Sequence, residues 1–173
     1  MTRPALDIST FAEKFKTGAR SYLFYLQPAF PSGLMSDAEF PVYLVRSASL
    51  PGSSFDELIT SWMGTDYKAA GKRTYDTWNV SFNVDKDAAI RLAFIRWADL
   101  MMDPTTNALV MPKTYMQNQF VTLLGADQTE KIKYELIGAW PSQIAEVSLD
   151  YANSDYAQFD VTFTYQYYQT TPK

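Results

Sequence analysis

The sequence predicts a mainly β fold, an antiparallel β-sandwich or incomplete barrel with one α-helix at about residues 86–102. Three observations lead there. YDTWNVSFNV (75–84) and FDVTFTYQY (159–167) alternate apolar and polar residues, the period of a strand with one buried face. The strand-like stretches do not alternate with helical ones, which argues against a parallel doubly wound sheet. Aromatic residues make up 16% of the chain and twelve of them are tyrosine, a composition suited to half-buried sheets and to interfaces.

Along the chain, DISTFAEKFKTGAR opens with a short helix capped by Asp7 or Ser9, with Phe11 and Phe15 on one face. SYLFYL (21–26) and FPVYLVRSASL (40–50) are rich in β-forming residues and read as two strands, separated by the Pro, Gly, Ser and Asp of QPAFPSGLMSDAE. The weakly patterned stretch that follows reads as a protruding loop or hairpin at about 51–70, with Gly64 and Gly71 as punctuation. Next, Trp78, Val80, Phe82 and Val84 face a core, while Thr77, Asn79, Ser81 and Asn83 form an opposite face without charge.

DKDAAIRLAFIRWADLMMDP is the clearest helix. Ile90, Phe94, Trp97 and Met101 form one apolar stripe that packs as core, Asp85 or Asp87 caps the start, and Pro104 closes the end. Beyond a connector, QFVTLLGAD and TEKIKYELIGAW make a hairpin turning near Asp127, with Ile132, Tyr134 and Leu136 alternating with Lys131, Lys133 and Glu135. IAEVSLDY reads as a strand through Val147, Leu149 and Tyr151. The last strand sets Phe159, Val161, Phe163, Tyr165 and Tyr167 against Asp160, Thr162, Thr164 and Gln166. That makes about eight strands and one dependable helix.

At 173 residues and 47% hydrophobic, the chain is expected to form a single domain, 1–173. Without cysteine or histidine, disulfides, thiolate chemistry, sulfur metal sites and the commonest general base are all excluded. Fifteen Lys and Arg against nineteen Asp and Glu leave a net charge of -4, so the basic footprint of a protein that grips nucleic acid is missing. No apolar run approaches the ~18 residues of a membrane span, and MTRPALDIST lacks a secretory pattern, so a cytoplasmic origin without membrane anchor is expected.

GTDYKAAGKRT falls short of a phosphate-binding loop, because six residues separate Gly64 from Gly71 and Arg73 follows Lys72. Helix capping accounts for Asp85 and Asp87, and turn chemistry for Asp150 and Asp155, ahead of any acid/base pairing. Asn79-Val80-Ser81 fits a glycosylation triplet by chance. No catalytic, metal or cofactor-binding residue is expected, and no cofactor.

Three segments in order carry a family resemblance: LPG (50–52), AAGKRTYDTWNVSFNVDKDAAIRLAFIRW (69–97) and GAWPSQIAEVSLDYANSDYAQFDVTFTYQYY (138–168). Together they resemble the tail tube proteins of contractile-tailed bacteriophages, the myoviruses. Gly71, Arg73, Thr74, Tyr75, Trp78 and Val80 match that family's GDRTF-x-x-W-x-V pattern, and Trp140, Pro141, Leu149, Asp150 and Tyr151 match its WP and LDW/LDY patterns. Lys72 stands where the family often has an acidic residue, Tyr151 where it often has tryptophan, and the 26–40 segment is longer than the family leads one to expect.

The resemblance implies a non-enzymatic structural protein of the virion tail, assembled in the host cytoplasm as hexameric rings that stack into a tube inside a contractile sheath. Its implied partners are further copies of itself, the tail sheath protein, baseplate and tail terminator proteins, a tape measure protein in the lumen, and double-stranded DNA that passes without tight binding. Leu50, Pro51, Phe55, Leu58, Ile59, Trp62 and Met63 become candidates for contact between rings or subunits; the alternative is that the 51–70 stretch folds back onto its own core. Thr77, Asn79, Ser81, Asn83, Asp160, Thr162, Thr164 and Gln166 become candidates for facing channel or sheath. Two other readings stay open: the inner tube of a contractile injection or type VI secretion system, and a monomeric β-sandwich ligand-binding module, for instance one that binds glycan through exposed aromatics.

Overall fold

The computed structural model describes residues 8–15, 19–35, 40–152 and 154–172. In chain order these form α1 (Ile8–Phe15), β1 (Phe24–Gln27), α2 (Phe40–Leu44), β2 (Val45–Ala48), β3 (Ser53–Trp62), β4 (Thr65–Tyr75), β5 (Trp78–Asn83), α3 (Ala89–Met101), α4 (Pro112–Tyr115), β6 (Gln117–Leu124), β7 (Glu130–Ile144), β8 (Gln158–Thr164) and β9 (Tyr167–Pro172). The fold is mainly β, as expected.

All pairings are antiparallel, and the main sheet runs β1-β6-β7-β8-β5-β2, with β9 added beside β7. β7 carries the architecture. Its first half, Ile132–Ile137, lies between β6 and β9, and its second half, from Trp140 to Ile144, pairs with β8. Gly138, at φ +63°, sits between the halves. There the backbone takes a left-handed conformation that suits glycine, and the long strand passes from one curved layer to the other. The result is an incomplete barrel whose two end strands, β1 and β2, line a common cleft of about 630 Å³.

The concave side is filled by aromatic rings. Trp78, Val80 and Phe82 of β5 and Phe159, Val161 and Phe163 of β8 are buried, as the period-two pattern requires. α3 lies across them with Ile90, Phe94 and Trp97 fully buried and Met101 half-buried against the same cluster. Phe94 is the hub: its ring lies 5.0 Å from Phe30, 5.2 Å from Phe82 and 6.0 Å from both Phe159 and Phe163. Trp97 satisfies its indole N–H on the Tyr115 carbonyl at 2.9 Å.

Of the two capping candidates for α3, Asp85 does the work. Its carboxylate accepts from the backbone N–H groups of Ala89 at 3.0 Å and Ile90 at 3.2 Å, reaching past Ala88, which sits at φ 50°. Burial pushes that carboxyl up, but these N–H donors outweigh it and hold Asp85 below its ordinary value. The Asp7 capping expectation lies outside the described residues. α1 itself spans Ile8–Phe15, with the Phe11 and Phe15 rings stacked at 5.1 Å.

Three expected strands are corrected. FPVYLVRSASL begins as α2 and becomes strand only at Val45, because Pro41 suits a first helical turn and lacks the N–H a strand ladder needs. IAEVSLDY is no strand beyond Ile144. Leu149 and Tyr151 are exposed, and the Asp150 carboxylate accepts from the Ala152 N–H at 2.9 Å, turning the chain locally. FDVTFTYQY breaks at Tyr165–Gln166, where the Gln166 N–H bonds the Ile137 carbonyl at 3.0 Å and passes the chain from β8 to β9. Tyr165 is buried as expected, but Tyr167 is exposed, Tyr168 is half-buried instead, and Gln166 lies beyond the face of β8.

Gln119, a buried polar residue in β6, holds the 28–35 segment to the body. Its amide accepts from Ala29 N–H at 2.9 Å and donates to the Ala29 carbonyl at 2.7 Å. Gln119→Ala strands two backbone groups together, and about 1–3 kcal/mol of stability is expected to be lost in urea denaturation.

Candidate assembly surface

β2 and β3 form one ribbon with β4 and β5, pinched where regular pairing lapses at 49–52 and 76–77. Across the pinch, Ser49 N–H bonds Asn79 O at 3.3 Å, Asp76 N–H bonds Gly52 O at 3.3 Å, and the Trp78 indole donates to Ser49 O at 2.6 Å. Beyond it the β3–β4 hairpin stands away from the sheet as a separate two-stranded arm. Its turn is Met63-Gly64, at φ 48° and 82°, both left-handed as a twist-matched two-residue hairpin requires.

The register sorts the arm into two faces. Leu58, Thr60 and Trp62 share one with their partners Ala69, Tyr67 and Thr65. Glu57, Ile59 and Ser61 share the other with Ala70, Lys68 and Asp66; there Lys68 pairs with Glu57 at 3.1 Å and Ser61 donates to Asp66 at 2.6 Å. The first face is apolar, and nothing among the described residues covers it. Trp62 is 74% exposed, Met63 89%, Tyr67 71% and Leu58 60%, with Phe55 and Ile59 also exposed. These side chains therefore do not fold back onto the subunit's own core. One of the sequence-selected contact residues differs: Leu50 is exposed like the others, but Pro51 is buried at the pinch. Tyr67 was missed, because it joins Leu58 and Trp62 only through the register.

The motif residues Gly71, Arg73, Thr74 and Tyr75 lie at the root of this arm, with Trp78 just below it. A Cβ at Gly71 would come within 2.9 Å of the Asp56 carbonyl, where the register shifts between Phe55 and Glu57, so the bulge there requires glycine. Thr74 bonds Ser54 hydroxyl to hydroxyl at 2.8 Å. The Arg73 guanidinium lies over the rings of Tyr75 at 4.9 Å, Tyr168 at 5.3 Å and Phe55 at 5.5 Å, and donates to Ser53 Oγ at 3.0 Å and Tyr168 OH at 3.2 Å. Trp78 and Pro141 are buried, and Trp140 is half-buried with Tyr115 edge-on at 6.4 Å. Leu149, Asp150 and Tyr151 lie apart from this cluster on the irregular 145–157 segment.

Beneath the root, the buried Tyr165 phenol lies 3.4 Å from the Gly52 carbonyl and donates to it. Burial, with Tyr168 and Asp76 nearby, pushes this phenol from 10.0 up to about 12. The folded state thus holds the proton more tightly than the unfolded chain. The stabilisation is complete below pH 10.0 and is expected to fall away as pH rises from there through about 12, which alkaline unfolding of Tyr165→Phe against the parent will reveal as a loss of that pH dependence.

The polar faces of β5 and β8 meet on the outside of the β2-β5-β8 layer. Asn79, Ser81, Asp160 and Thr162 line a shallow depression of about 530 Å³ with Ser47, Ser49 and Gln143. Thr162 donates to the Asn79 side chain at 2.8 Å, and Ser81 donates to Asp160. Asn83 opens instead into a recess beside Arg46, Asp150 and Asp155, Thr164 is half-buried across from Trp140, and Thr77 sits exposed at the pinch. Gln166 belongs to the bend after β8 and not to this face.

Comparison with known proteins finds likeness over nearly the whole chain. A family model described as phage tail tube protein matches residues 10–171. Tail tube protein gp19 of Enterobacteria phage T4 is 24% identical over 127 residues, which cover 72% of this chain and 78% of that protein. Among solved structures, the tube-terminating cap of the anti-feeding prophage superposes with a TM-score of 0.68 at 16% identity, covering 100% of both chains. The sheath–tube complex of an extracellular contractile injection system, PVC, in its extended state gives a TM-score of 0.66 at 13% identity over 98% of this chain and 100% of that one. At those identities the two structures share the fold.

Proposed function

The chain belongs to the phage tail tube protein family, a structural component of the virion tail, and we propose that its copies form hexameric rings that stack into the inner tube of a contractile tail. The observation that carries this reading is the β3–β4 arm, whose uncovered face of Leu58, Trp62 and Tyr67, with Met63 at the tip, has the aromatic composition of an interface core. Met63 adds to the case: a left-handed conformation disfavours a long side chain, yet the turn places one, 89% exposed, at the tip of the arm.

A head-to-tail contact made by such an arm does not close on itself, and with a rise along the axis it propagates as a helical filament. Docking also shelters the end strands β1 and β2, each of which has a ladder partner on one side only among the described residues. The depression lined by Asn79, Ser81, Asp160 and Thr162 faces either lumen or sheath; without cations it has no purchase on phosphate, in keeping with DNA that slides through. The sheath surrounds the tube, baseplate and terminator proteins close its ends, and a tape measure protein occupies the lumen before DNA does. The role needs no catalysis.

Electron microscopy of the purified chain at high concentration tests the reading. Rings and hollow tubes are expected; monomers at every salt concentration and pH tried would contradict it.

A further inference from the structure

Arg73 makes contacts at the arm's root that join three strands. Phe55 and Ser53 belong to β3, Tyr75 to β4 and Tyr168 to β9, so one guanidinium binds both strands of the arm to an edge strand of the body. Tyr168 is itself held: its ring stands edge-on to Tyr75 at 5.5 Å and to Tyr134 of β7 at 5.8 Å, and its hydroxyl lies 3.3 Å from Ser53 Oγ. Immediately below, at 49–52 and 76–77, neither strand pairs regularly, and the cross-ribbon bonds include the 3.3 Å contacts of the Ser49 and Asp76 N–H groups, a 3.4 Å bond from the Ser49 hydroxyl to the Asn79 carbonyl, and the Trp78 indole bond. A two-stranded ribbon interrupted in both strands at one level is a hinge unless something spans it.

We propose that Arg73 is the positioning residue of the arm: it braces the arm beside the pinch, locks the hairpin onto Tyr168 of β9, and thereby fixes the angle at which the arm reaches the next ring. The geometry uses what is particular to arginine. A planar guanidinium stacks on rings while donating two hydrogen bonds in its own plane, whereas an ammonium is a point donor that does not do both. The inference rests on the arm's proposed part in assembly, because only then does its angle set the rotation between successive rings.

Three variants of the full chain separate the possibilities: Arg73→Gln, Arg73→Lys, and the double variant Trp62→Asp with Met63→Asp. Amide hydrogen exchange reads the arm in the unassembled subunit, and cryo-electron microscopy reads the tube. Arg73→Gln is expected to keep the body's circular dichroism and protection, to speed exchange across residues 54–72 roughly tenfold, and to give few tubes or tubes with an altered rotation per ring. Arg73→Lys is expected to recover part of the protection. Parental exchange and parental tube geometry in Arg73→Gln would overturn the proposal, and so would loss of protection throughout the body in both Arg73 variants, which would make Arg73 a residue of the fold. If the Trp62/Met63 variant also builds normal tubes, the arm's part in stacking fails, whatever Arg73 does.

Discussion

Phe94→Ala is expected to cost the subunit about 3–5 kcal/mol, the range for removing a fully buried aromatic side chain from a core that cannot collapse around the void. Phe94 has no exposed surface, and its neighbours come from four elements: Phe30 in the loop after β1, Phe82 on β5, Phe159 and Phe163 on β8, and Trp97 on its own helix. The sheets are held by backbone ladders and Trp97 by its bond to Tyr115, so the cavity does not close, and the tilted and edge-on ring pairs are lost as well. Small domains have only about 5–15 kcal/mol in total, so the change removes a large share of the stability. Urea denaturation checks it: the midpoint falls and the slope stays the same. Failure of Phe94→Ala to assemble would follow from the weakened subunit and says nothing about the interface.

Replacing Trp62 and Met63 with aspartate is expected to do the reverse, leaving the subunit folded and abolishing stacking. Both side chains are largely exposed at the tip of an arm that meets the core cluster only at its root, through Tyr75, so introducing charge there costs the fold little. In an interface the same two charges must be desolvated without partners, and a central aromatic anchor is lost, commonly about 2 kcal/mol or more of binding for the aromatic alone. A polymer multiplies that loss along its axis. Unchanged circular dichroism with no tubes by electron microscopy is the expected pair of results; loss of the subunit fold would instead assign Trp62 and Met63 a place in the core.

The parts of this fold that could be read from the sequence are those whose local period matches their final environment. The stripe of Ile90, Phe94 and Trp97 on α3 and the alternation of Trp78, Val80 and Phe82 on β5 each have one buried face and one wetter face, and the β6–β7 hairpin turns around Asp127 as its turn residues indicate, so the pattern and the structure agree. Reading failed where a partner far away in sequence decides. Tyr165, Gln166 and Tyr167 continue a perfect alternation, but the carbonyl of Ile137 captures the Gln166 N–H and shifts the inward position to Tyr168. Leu149 and Tyr151 alternate just as well and meet no sheet, and FPVYL contains good strand formers that a proline turns into a helical start.

The candidate surface was legible to the same extent. Trp62, Met63, Leu58 and Ile59 stood out as large apolar residues in a stretch without a core-forming period, which is how a face reserved for a partner reads in sequence. Tyr67 was hidden because only the pairing of β3 with β4 brings it beside Leu58 and Trp62, and the Arg73–Tyr168 contact because it joins positions 95 residues apart.

The central claim, that the β3–β4 arm builds the tube by reaching from one ring to the next, is tested most directly by a cryo-electron microscopy reconstruction of tubes grown from the purified chain. The account predicts six-membered rings with Leu58, Trp62, Met63 and Tyr67 buried against a neighbouring copy, and Arg73 still seated on Tyr168. A reconstruction in which that face of the arm stays in solvent, while other surfaces make every contact between copies, would contradict it.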